Sequence, residues 1–362
     1  RRFGRRALFV DGERPYEAGV FYCKDAFEGL ETMDVLQDAE RRESFVTKVI
    51  DEARNDVYLH ARTGKDVAVG DAAGARSDVT QDHPVPTPPF WGVRVLEDIP
   101  IDEVFALLDL DELYRLQWGA RGSGERFERT VRDEFEPTLE RLKPAAKRDG
   151  WIRPRAVYGY FPAQSRGNDV VVYDPARYER DGTTAEIARF HFPRQEGRER
   201  LCIADYFRST ESGDIDVVGL QVVTVGEEAT RHFDRLQQAG EYSAAFYAHG
   251  LSVESAEAVA EWMHRRVRRE LGIPGNRGKR YSWGYGACPD LEDHEVVFKL
   301  LPAREALGMV LTVSHQLVPE QSTVAIITHH PQAKYYAVRG APDAGGQAIP
   351  TPLARTRTGE AV

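Results

Sequence analysis

The sequence predicts an α+β protein: a twisted antiparallel sheet with helices packed around it, preceded by the remnant of a separate α/β unit. Strand candidates between residues 155 and 225 cluster together instead of alternating with helices, which favours an antiparallel sheet over a doubly wound one. The α/β remnant is inferred because residues 1–62 offer one strand and one helix, which cannot bury a core alone. A proline-rich stretch separates the two parts.

The first unit, residues 1–62, begins with short apolar runs. Gly19–Cys23 is typical of a buried strand. Asp25 is a candidate N-cap for a helix that begins at Ala26. These elements must pack against something beyond themselves.

The boundaries of the other segments follow from composition. Residues 63–89 are rich in Gly, Ala and Asp and end in the run Pro84–Pro89, which is typical of a stiff, extended linker. A second domain is predicted for residues 90–338. Residues 339–362 are rich in Gly, Pro and Ala and are expected to be a disordered tail.

Within the second domain, hydrophobic periodicity predicts helices and strands. One long amphipathic helix carries Phe127, Val131, Phe135 and Leu139 on a single face. A turn at 166–168 joins two strands. The predicted helices cover residues 101–108, 111–118, 227–248 and 253–271. The predicted strands cover residues 155–161, 169–173, 187–192 and 216–225, with a late strand pair at 311–317 and 323–328.

Composition argues against several classes of protein. The net charge of −10 disfavours a general nucleic-acid binder. No apolar run approaches the roughly 18–20 residues that a bilayer requires, so no membrane partner is expected. Cys23, Cys202 and Cys288 are far apart and form no C-x-x-C pair, which fits a reducing cytoplasm. The phosphate-loop and dinucleotide fingerprints are missing.

The loop Arg280–Asp290 carries the most informative chemistry. Its sequence is RYSWGYGACPD, with one guanidinium, two glycines and three aromatic residues. Glycine lets the backbone approach a flat ligand closely, and arginine supplies a planar fork that fits a carboxylate. The loop is therefore a candidate site for a flat ligand that bears a carboxylate.

Other candidates have a structural interpretation beside the functional one. Glu254, Glu257 and Glu261 share a helix face, which suits a cationic ligand, although a solvated face is the commoner cause. Tyr335 could attract a cation or cover the core at a strand end. Asp109 could serve only as a helix cap.

A metal site at His329-His330 is not expected. Neighbouring strand residues point to opposite faces, and no further ligand sits at a suitable spacing. We therefore predict no metal.

Several motifs together resemble the activation domain of cobalamin-dependent methionine synthase. Residues 280–290 are similar to its R-x-x-x-G-Y-x-A-C-P signature, and Val157–Ala163 to its V-x-G-x-F-P-A strand. Cys202–Tyr206 resembles its C-L-A-D-F segment, and Pro319–Ser322 and His330–Tyr336 resemble its closing segments. The resemblance covers roughly residues 88–338.

This resemblance implies a cobalamin-binding module upstream. Residues 1–62 resemble the end of the family's flavodoxin-like cobalamin-binding domain, with Gly19–Ala26 matching its last strand. The D-x-H-x-x-G motif that supplies the cobalt ligand does not occur in the sequence. Cobalamin would accordingly be bound mainly by parts outside this chain.

The resemblance also implies a binding site for S-adenosylmethionine. Arg280 would clamp the methionine carboxylate, Glu257 would receive the amino group, and Tyr285 and Tyr335 would line the pocket. Ser282 stands where the family uses a small residue with backbone contacts to the ligand.

Two positions depart from the family pattern. Asp109 matches the family's first-helix acid, but a spacing difference before Trp118 leaves Asp111 open as a rival. Gly286 stands where the family commonly has a proline, which would loosen the loop without removing the clamp.

By this resemblance, the chain would be the C-terminal part of a methyltransferase that makes methionine from homocysteine and methyltetrahydrofolate. Its task would be to present S-adenosylmethionine to cob(II)alamin during reductive reactivation. The implied partners are the cobalamin-binding domain of the same enzyme and a flavodoxin-like electron donor. The fragment alone would bind the ligand without completing a turnover.

Two alternatives stay open. One is a docking module for a separate corrinoid protein. The other is a stand-alone small-molecule methyltransferase, against which the lack of a glycine-rich strand-to-helix loop weighs.

Overall fold

The chain divides into two compact units, Arg1–Gly70 and Asp71–Val362. Among the described helices, none combines the length and the hydrophobicity that a membrane-spanning segment needs. The computed structural model describes residues 9–10, 14–15, 21, 23, 26–38, 41–50, 76–195, 199–275 and 277–338.

The first unit contains two short strands and helical segments. Strands β1 (Phe9–Val10) and β2 (Arg14–Pro15) pair antiparallel. Helix α1 spans Ala26–Gln37, in agreement with the start predicted at Ala26, and residues 41–50 are also helical. Most of the predicted strand Gly19–Cys23 and the predicted cap Asp25 lie outside the described residues. The flavodoxin-like remnant stays a prediction.

The second unit is built on a seven-stranded sheet in which every pair is antiparallel, as predicted. Along the sheet the strand order is β6-β5-β4-β7-β11-β8, and β3 also pairs with β4. Its strands are β3 (Gly92–Leu96), β4 (Arg155–Arg166), β5 (Asp169–Tyr173), β6 (Glu186–His191), β7 (Asp216–Thr224), β8 (Lys279–Ser282) and β11 (Ser322–Thr328).

Helices surround this sheet. A π-helical turn, Leu113–Gln117, follows α3, and a second one, Val131–Phe135, links α4 to α5. The helices are α2 (Ile101–Phe105), α3 (Leu110–Glu112), α4 (Glu125–Thr130), α5 (Glu136–Asp149), α6 (Pro175–Asp181), α7 (Glu227–Gln238), α8 (Tyr242–Glu270), α9 (Asp293–Leu300) and α10 (Ala303–Leu307).

Both faces of the sheet are covered, because alternate residues of its central strands enter different cores. Tyr158 and Tyr160 of β4 pack in a cluster with Met263 of α8. Val157, which directly precedes Tyr158 in sequence, packs in the opposite cluster with Phe298 of α9. This alternation is the two-residue period of a strand.

The prediction of a helix break between residues 248 and 253 is wrong. The helix is interrupted earlier, between α7 and α8, where Gly240 has a φ of 77°. Helix α8 then runs without interruption for 29 residues. Position 250 lies inside α8, and it suits glycine because a Cβ there would come within 2.7 Å of the Trp118 ring. The Trp118 indole donates a 3.1 Å hydrogen bond to the Tyr247 carbonyl.

The predicted late strand at 323–328 is confirmed as β11, but the strand predicted at 311–317 and its pairing with β11 are wrong. Two-residue strands, β9 (Val310–Leu311) and β10 (Leu317–Val318), pair with each other. Strand β11 instead lies between β7 and β8. Strands β3 and β8 were not predicted from the sequence, because they are short and contain charged residues.

Part of the predicted linker is fastened to the second unit. The backbone N–H and hydroxyl of Ser77 donate to Asp205 Oδ2 at 3.1 and 2.7 Å, and Arg76 forms an ion pair with Asp205 Oδ1 at 3.3 Å. The Thr80 carbonyl accepts from His330 Nε2 at 2.9 Å. Residues 76–80 are therefore docked, whereas 63–75 lie outside the described residues.

We predict that Gly250→Ala destabilises the protein by about 1–3 kcal/mol, because the added methyl group overlaps the Trp118 ring. This penalty should exceed the gain in helix propensity of about 1 kcal/mol. In a Trp118→Leu background the same substitution should be neutral or stabilising. Urea denaturation measures both effects, and equal destabilisation in the two backgrounds would show that the ring is not the cause.

Candidate active site

Arg280 is the centre of the candidate site. It lies on β8, whose next residue, Tyr281, packs in the core on the opposite face, so the Arg280 side chain meets helix α8. There Arg280 Nη2 donates a 3.2 Å hydrogen bond to Glu257 Oε2. The Arg280 side chain is 11% exposed, and its Nη1 is buried without a hydrogen-bond partner among the described residues. One donor of the fork is therefore paired and another is available.

Three further carboxyl groups, those of Glu254, Asp109 and Glu112, lie near this ion pair. Glu254, one turn before Glu257 on α8, is only 3% exposed, and its Oε1 accepts from the Asp109 backbone N–H at 3.3 Å. Asp109 caps α3 by accepting from the Glu112 N–H at 3.1 Å. These residues around Arg280, called the cleft below, thus combine one guanidinium with a surplus of acidic groups.

The crowding of these acids contributes to a raised pKa at two of them, Glu254 and Glu112. Burial raises the pKa of Glu254 to about 8, and the charges of Glu112, Glu257 and Asp109 reinforce the shift. Burial also raises the pKa of Glu112, again with contributions from Asp109 and Glu257. An added positive charge would relieve this repulsion.

Two tyrosines complete the cleft. Tyr285 is 48% exposed, and its pKa is raised first by the charge of Glu257 and then by burial. Tyr335 is 46% exposed and packs edge-on against Tyr281 with ring centroids 5.7 Å apart. Burial raises the pKa of Tyr335, while the charge of Arg280 lowers it. Both rings therefore lie in the field of the Arg280–Glu257 pair.

The glycine-rich loop is held by its own backbone. The Gly284 N–H donates to the Cys288 carbonyl at 2.9 Å, and the Cys288 N–H donates to the Tyr285 carbonyl at 3.0 Å. Gly284 has a φ of 89°, a conformation that glycine adopts readily. These bonds fix the turn that carries Tyr285.

Two other residues of the loop contact neighbouring segments. The Ser282 hydroxyl lies 3.4 Å from that of Thr323. The Gly286 carbonyl accepts from the Val338 N–H at 2.9 Å, and a Cβ at Gly286 would lie 2.8 Å from Ala337 Cβ. The absence of a side chain at Gly286 therefore allows the closing segment to pack on the loop.

The geometry separates Asp109 from Asp111. Both are exposed, but the Asp109 backbone N–H donates a hydrogen bond to Glu254. The charge of Asp109 also helps to raise the pKa values of Glu112 and Glu254. The π-helical turn Leu113–Gln117 holds one residue more than an α-helical turn. It can absorb a spacing difference before Trp118 while Asp109 stays next to the cleft.

One acid of the cleft, Glu112, was not predicted from the sequence. For Glu254 the sequence favoured a solvated face over a ligand contact, whereas the residue is buried. A signal was present in the sequence, because Glu254 lies among small residues, Ser252, Ser255 and Ala256, all of which are buried. Small residues around a helical acid indicate close packing on that part of the helix.

The adjacent histidines are tied to the protein. His329 Nε2 is 2.6 Å from Asp216 Oδ1, and His330 Nδ1 accepts from the Gln332 N–H at 3.0 Å. The His83 ring lies against both histidines. Across the part of the chain that the structure describes, no group of three or more potential ligands is arranged to hold a metal ion.

Comparison with known proteins identifies the family. The family model for the vitamin B12 dependent methionine synthase activation domain matches residues 125–342. The methionine synthase of Mycobacterium tuberculosis is 37% identical over 369 residues, which cover 89% of this chain and 30% of the relative. That of Mycobacterium leprae is 36% identical over 366 residues, with the same coverage.

The chain belongs to the vitamin B12 dependent methionine synthase family and contains its activation domain. The expected family is thereby confirmed, although the chain matches only 30% of the length of these relatives. A crystal structure of the MetH reactivation domain bound to AdoHcy has a TM-score of 0.62 and 25% identity to this chain. The match covers 73% of this chain and 90% of that one, and it confirms the α+β fold class.

Glu254 of this activation domain gives a prediction about stability and pH. The carboxyl has a pKa of about 8 in the native state against 4.5 as the reference value. Between these values the native state retains a proton that the unfolded chain has lost, so the free energy of unfolding falls as pH rises. The free energy of unfolding of Glu254→Gln should therefore rise relative to that of wild type by up to about 1.4 kcal/mol per pH unit in this window. Urea denaturation between pH 5 and 8 measures the difference.

Glu261→Gln is the control for this experiment. At Glu261, burial raises the pKa but is outweighed by His264 and Arg265, which bring it to about 2. The pKa of His264 is lowered by burial. The stability difference between Glu261→Gln and wild type should therefore stay flat from pH 6.5 to 8. A flat difference for Glu254→Gln as well would contradict the assignment of a neutral Glu254.

Proposed function

We propose that this activation domain binds S-adenosylmethionine in the cleft at Arg280 and presents its methyl group for reactivation of the cobalamin of a methionine synthase. The observation that carries the proposal is that only one of the two terminal nitrogens of the Arg280 guanidinium is hydrogen-bonded. Nη2 is held by Glu257 at 3.2 Å, whereas Nη1 is buried and unpaired. A buried donor without a partner is costly, and the carboxylate of an amino-acid ligand would satisfy it.

The rest of the cleft suits the cationic groups of the same ligand. S-adenosylmethionine carries an ammonium and a sulfonium close to its carboxylate. Glu257 and Asp109 would receive the ammonium group, and the exposed faces of Tyr285 and Tyr335 offer cation–π attraction. Ser282, beside Arg280 on the edge strand, would border the ligand through its backbone. The similar MetH domain was crystallised with AdoHcy, the thioether that remains when the methyl group has left.

The chain's part in the reaction is to bind and orient. Cobalamin supplies the cobalt nucleophile when it is bound, and no residue of this chain is assigned to the cobalt. Transfer of a methyl group from a sulfonium requires no general base, so the rate depends mainly on how the donor is positioned. Arg280 at one end of the donor and the two tyrosines beside it would fix that position.

The proposal extends to the complete enzyme. Methionine formation from homocysteine and methyltetrahydrofolate would take place in the full-length protein, with this chain as its reactivation module. The cobalamin-binding domain of the same enzyme would be the partner that faces the cleft. A flavodoxin-like protein would supply the electron for reductive reactivation.

Calorimetry with S-adenosylmethionine tests the proposal. Arg280→Ala should weaken binding by about 10- to 100-fold, because a hydrogen bond to a charged group contributes about 1.5–3 kcal/mol. Arg280→Lys should weaken it less, since it keeps the charge but loses the planar fork.

Arg189→Ala is the matched control for the loss of an arginine from a strand. Arg189 lies on β6 and pairs with Asp169 and Glu186, each at 2.8 Å. In the strand order, β6 is at the opposite end of the sheet from β8, which carries Arg280. Its removal should leave the affinity unchanged. Equal affinity of wild type and Arg280→Ala would discard the clamp. No binding by wild type would discard the proposal in favour of a docking module.

A further inference from the structure

Among the residues that the structure describes, Glu254 has no counterion, unlike other acids on the same helix. Glu261 pairs with Arg265 at 2.7 Å and Glu270 pairs with Arg266 at 2.9 Å. Glu254 is 3% exposed. Within the described ranges no lysine, arginine or histidine lies within ion-pair distance of its carboxyl group. A fully buried carboxyl without a cation is unfavourable in its charged form.

The groups around Glu254 add to this penalty. From α3 it faces Asp109 and Glu112, and from its own helix it faces Glu257. The nearby cation on β8, Arg280, is paired with Glu257. The Asp109 N–H supplies one hydrogen bond at 3.3 Å, which leaves the repulsion uncompensated. Burial and these charges raise the pKa of Glu254 to about 8, so it is mostly protonated at neutral pH.

The position of Glu254 places it near the charged sulfur of the proposed ligand. Glu254 and Glu257 are three residues apart, so their Cβ atoms are about 5–6 Å apart on the helix surface. In S-adenosylmethionine two methylene groups separate the sulfonium from the α-carbon. A ligand whose amino-acid end is held by Arg280 and Glu257 therefore brings its second cation within reach of Glu254.

We infer that Glu254 is a specificity-determining residue, which releases its proton when a sulfonium enters the cleft and thereby favours S-adenosylmethionine over the uncharged thioether. In this step the O–H bond of the carboxyl group breaks, the proton passes to solvent, and the carboxylate pairs with the cation. No other reactant is needed. The inference rests on the proposed function and adds a proton linkage to it.

Calorimetry at pH 7 in buffers of different ionisation enthalpy counts the released protons. For wild type, S-adenosylmethionine should release close to one proton and S-adenosylhomocysteine clearly less. For Glu254→Gln the difference between the two ligands should disappear. Glu270→Gln, on the same helix but paired with Arg266, should behave as wild type.

The pH dependence of affinity gives an independent readout. Between pH 5.5 and 7, wild-type affinity for S-adenosylmethionine should rise by up to tenfold per pH unit, as expected for release of one proton. This window lies below the α-amino pKa of about 7.7–8.0, so titration of the ligand does not interfere. Affinity for the thioether should rise less, and the Glu254→Gln variant should show no difference in slope.

The outcomes separate this inference from the proposed function. S-adenosylmethionine binding without proton release, or with the same release in Glu254→Gln, would overturn the inference and leave the proposed function intact. Absence of binding by wild type would overturn both. If Glu254→Gln does not fold, carbon-13 carboxyl NMR of wild type decides the question. One glutamate should then titrate near pH 8 in the free protein and be ionised at pH 7 in the complex, and an unchanged titration would contradict the inference.

Discussion

The ion pair between Arg280 and Glu257 is the interaction on which the organisation of the cleft depends. It joins the edge strand β8 to the long helix α8, and it uses only part of the guanidinium. The position of Arg280 is set by the pairing of β8 with β11, in which Arg280 lies opposite Ile327. The position of Glu257 is set by the unbroken course of α8 past Trp118. Both secondary-structure elements must be correctly placed for the pair to form.

The electrostatic balance of the cleft has a cost that a ligand can offset. One arginine stands beside Asp109, Glu112, Glu254 and Glu257, so the charges are not matched within the protein. Such a cleft is less stable than a neutral one in the same place would be, and marginal stability makes this cost significant. Functional sites commonly retain strain or unsatisfied groups of this kind. A ligand that brings one anion and two cations would complement both the unpaired donor and the surplus acids.

The sequence predicted the fold class and the family, because both depend on patterns that are local. Strand clustering indicated the antiparallel sheet, and the motif around Arg280 indicated the family. The sequence did not predict that β11 separates β7 from β8, since strand order depends on contacts between distant segments. It placed a break near Gly250, whose role depends on the distant Trp118.

The same limit applies to the site. Arg280, Glu257, Tyr285 and Tyr335 were predicted from motifs, and the structure brings them to one cleft. Glu254 contacts the backbone of Asp109, 145 positions away in sequence, so its burial could not be predicted from helical periodicity, which favoured a solvated face over a ligand contact. The most direct test is a crystal structure of the domain soaked with S-adenosylmethionine. The ligand carboxylate should lie about 2.7–2.9 Å from Arg280 Nη1, the usual length of a charge-assisted hydrogen bond. A ligand bound elsewhere, or Nη1 occupied by a protein side chain, would contradict the proposed role of Arg280.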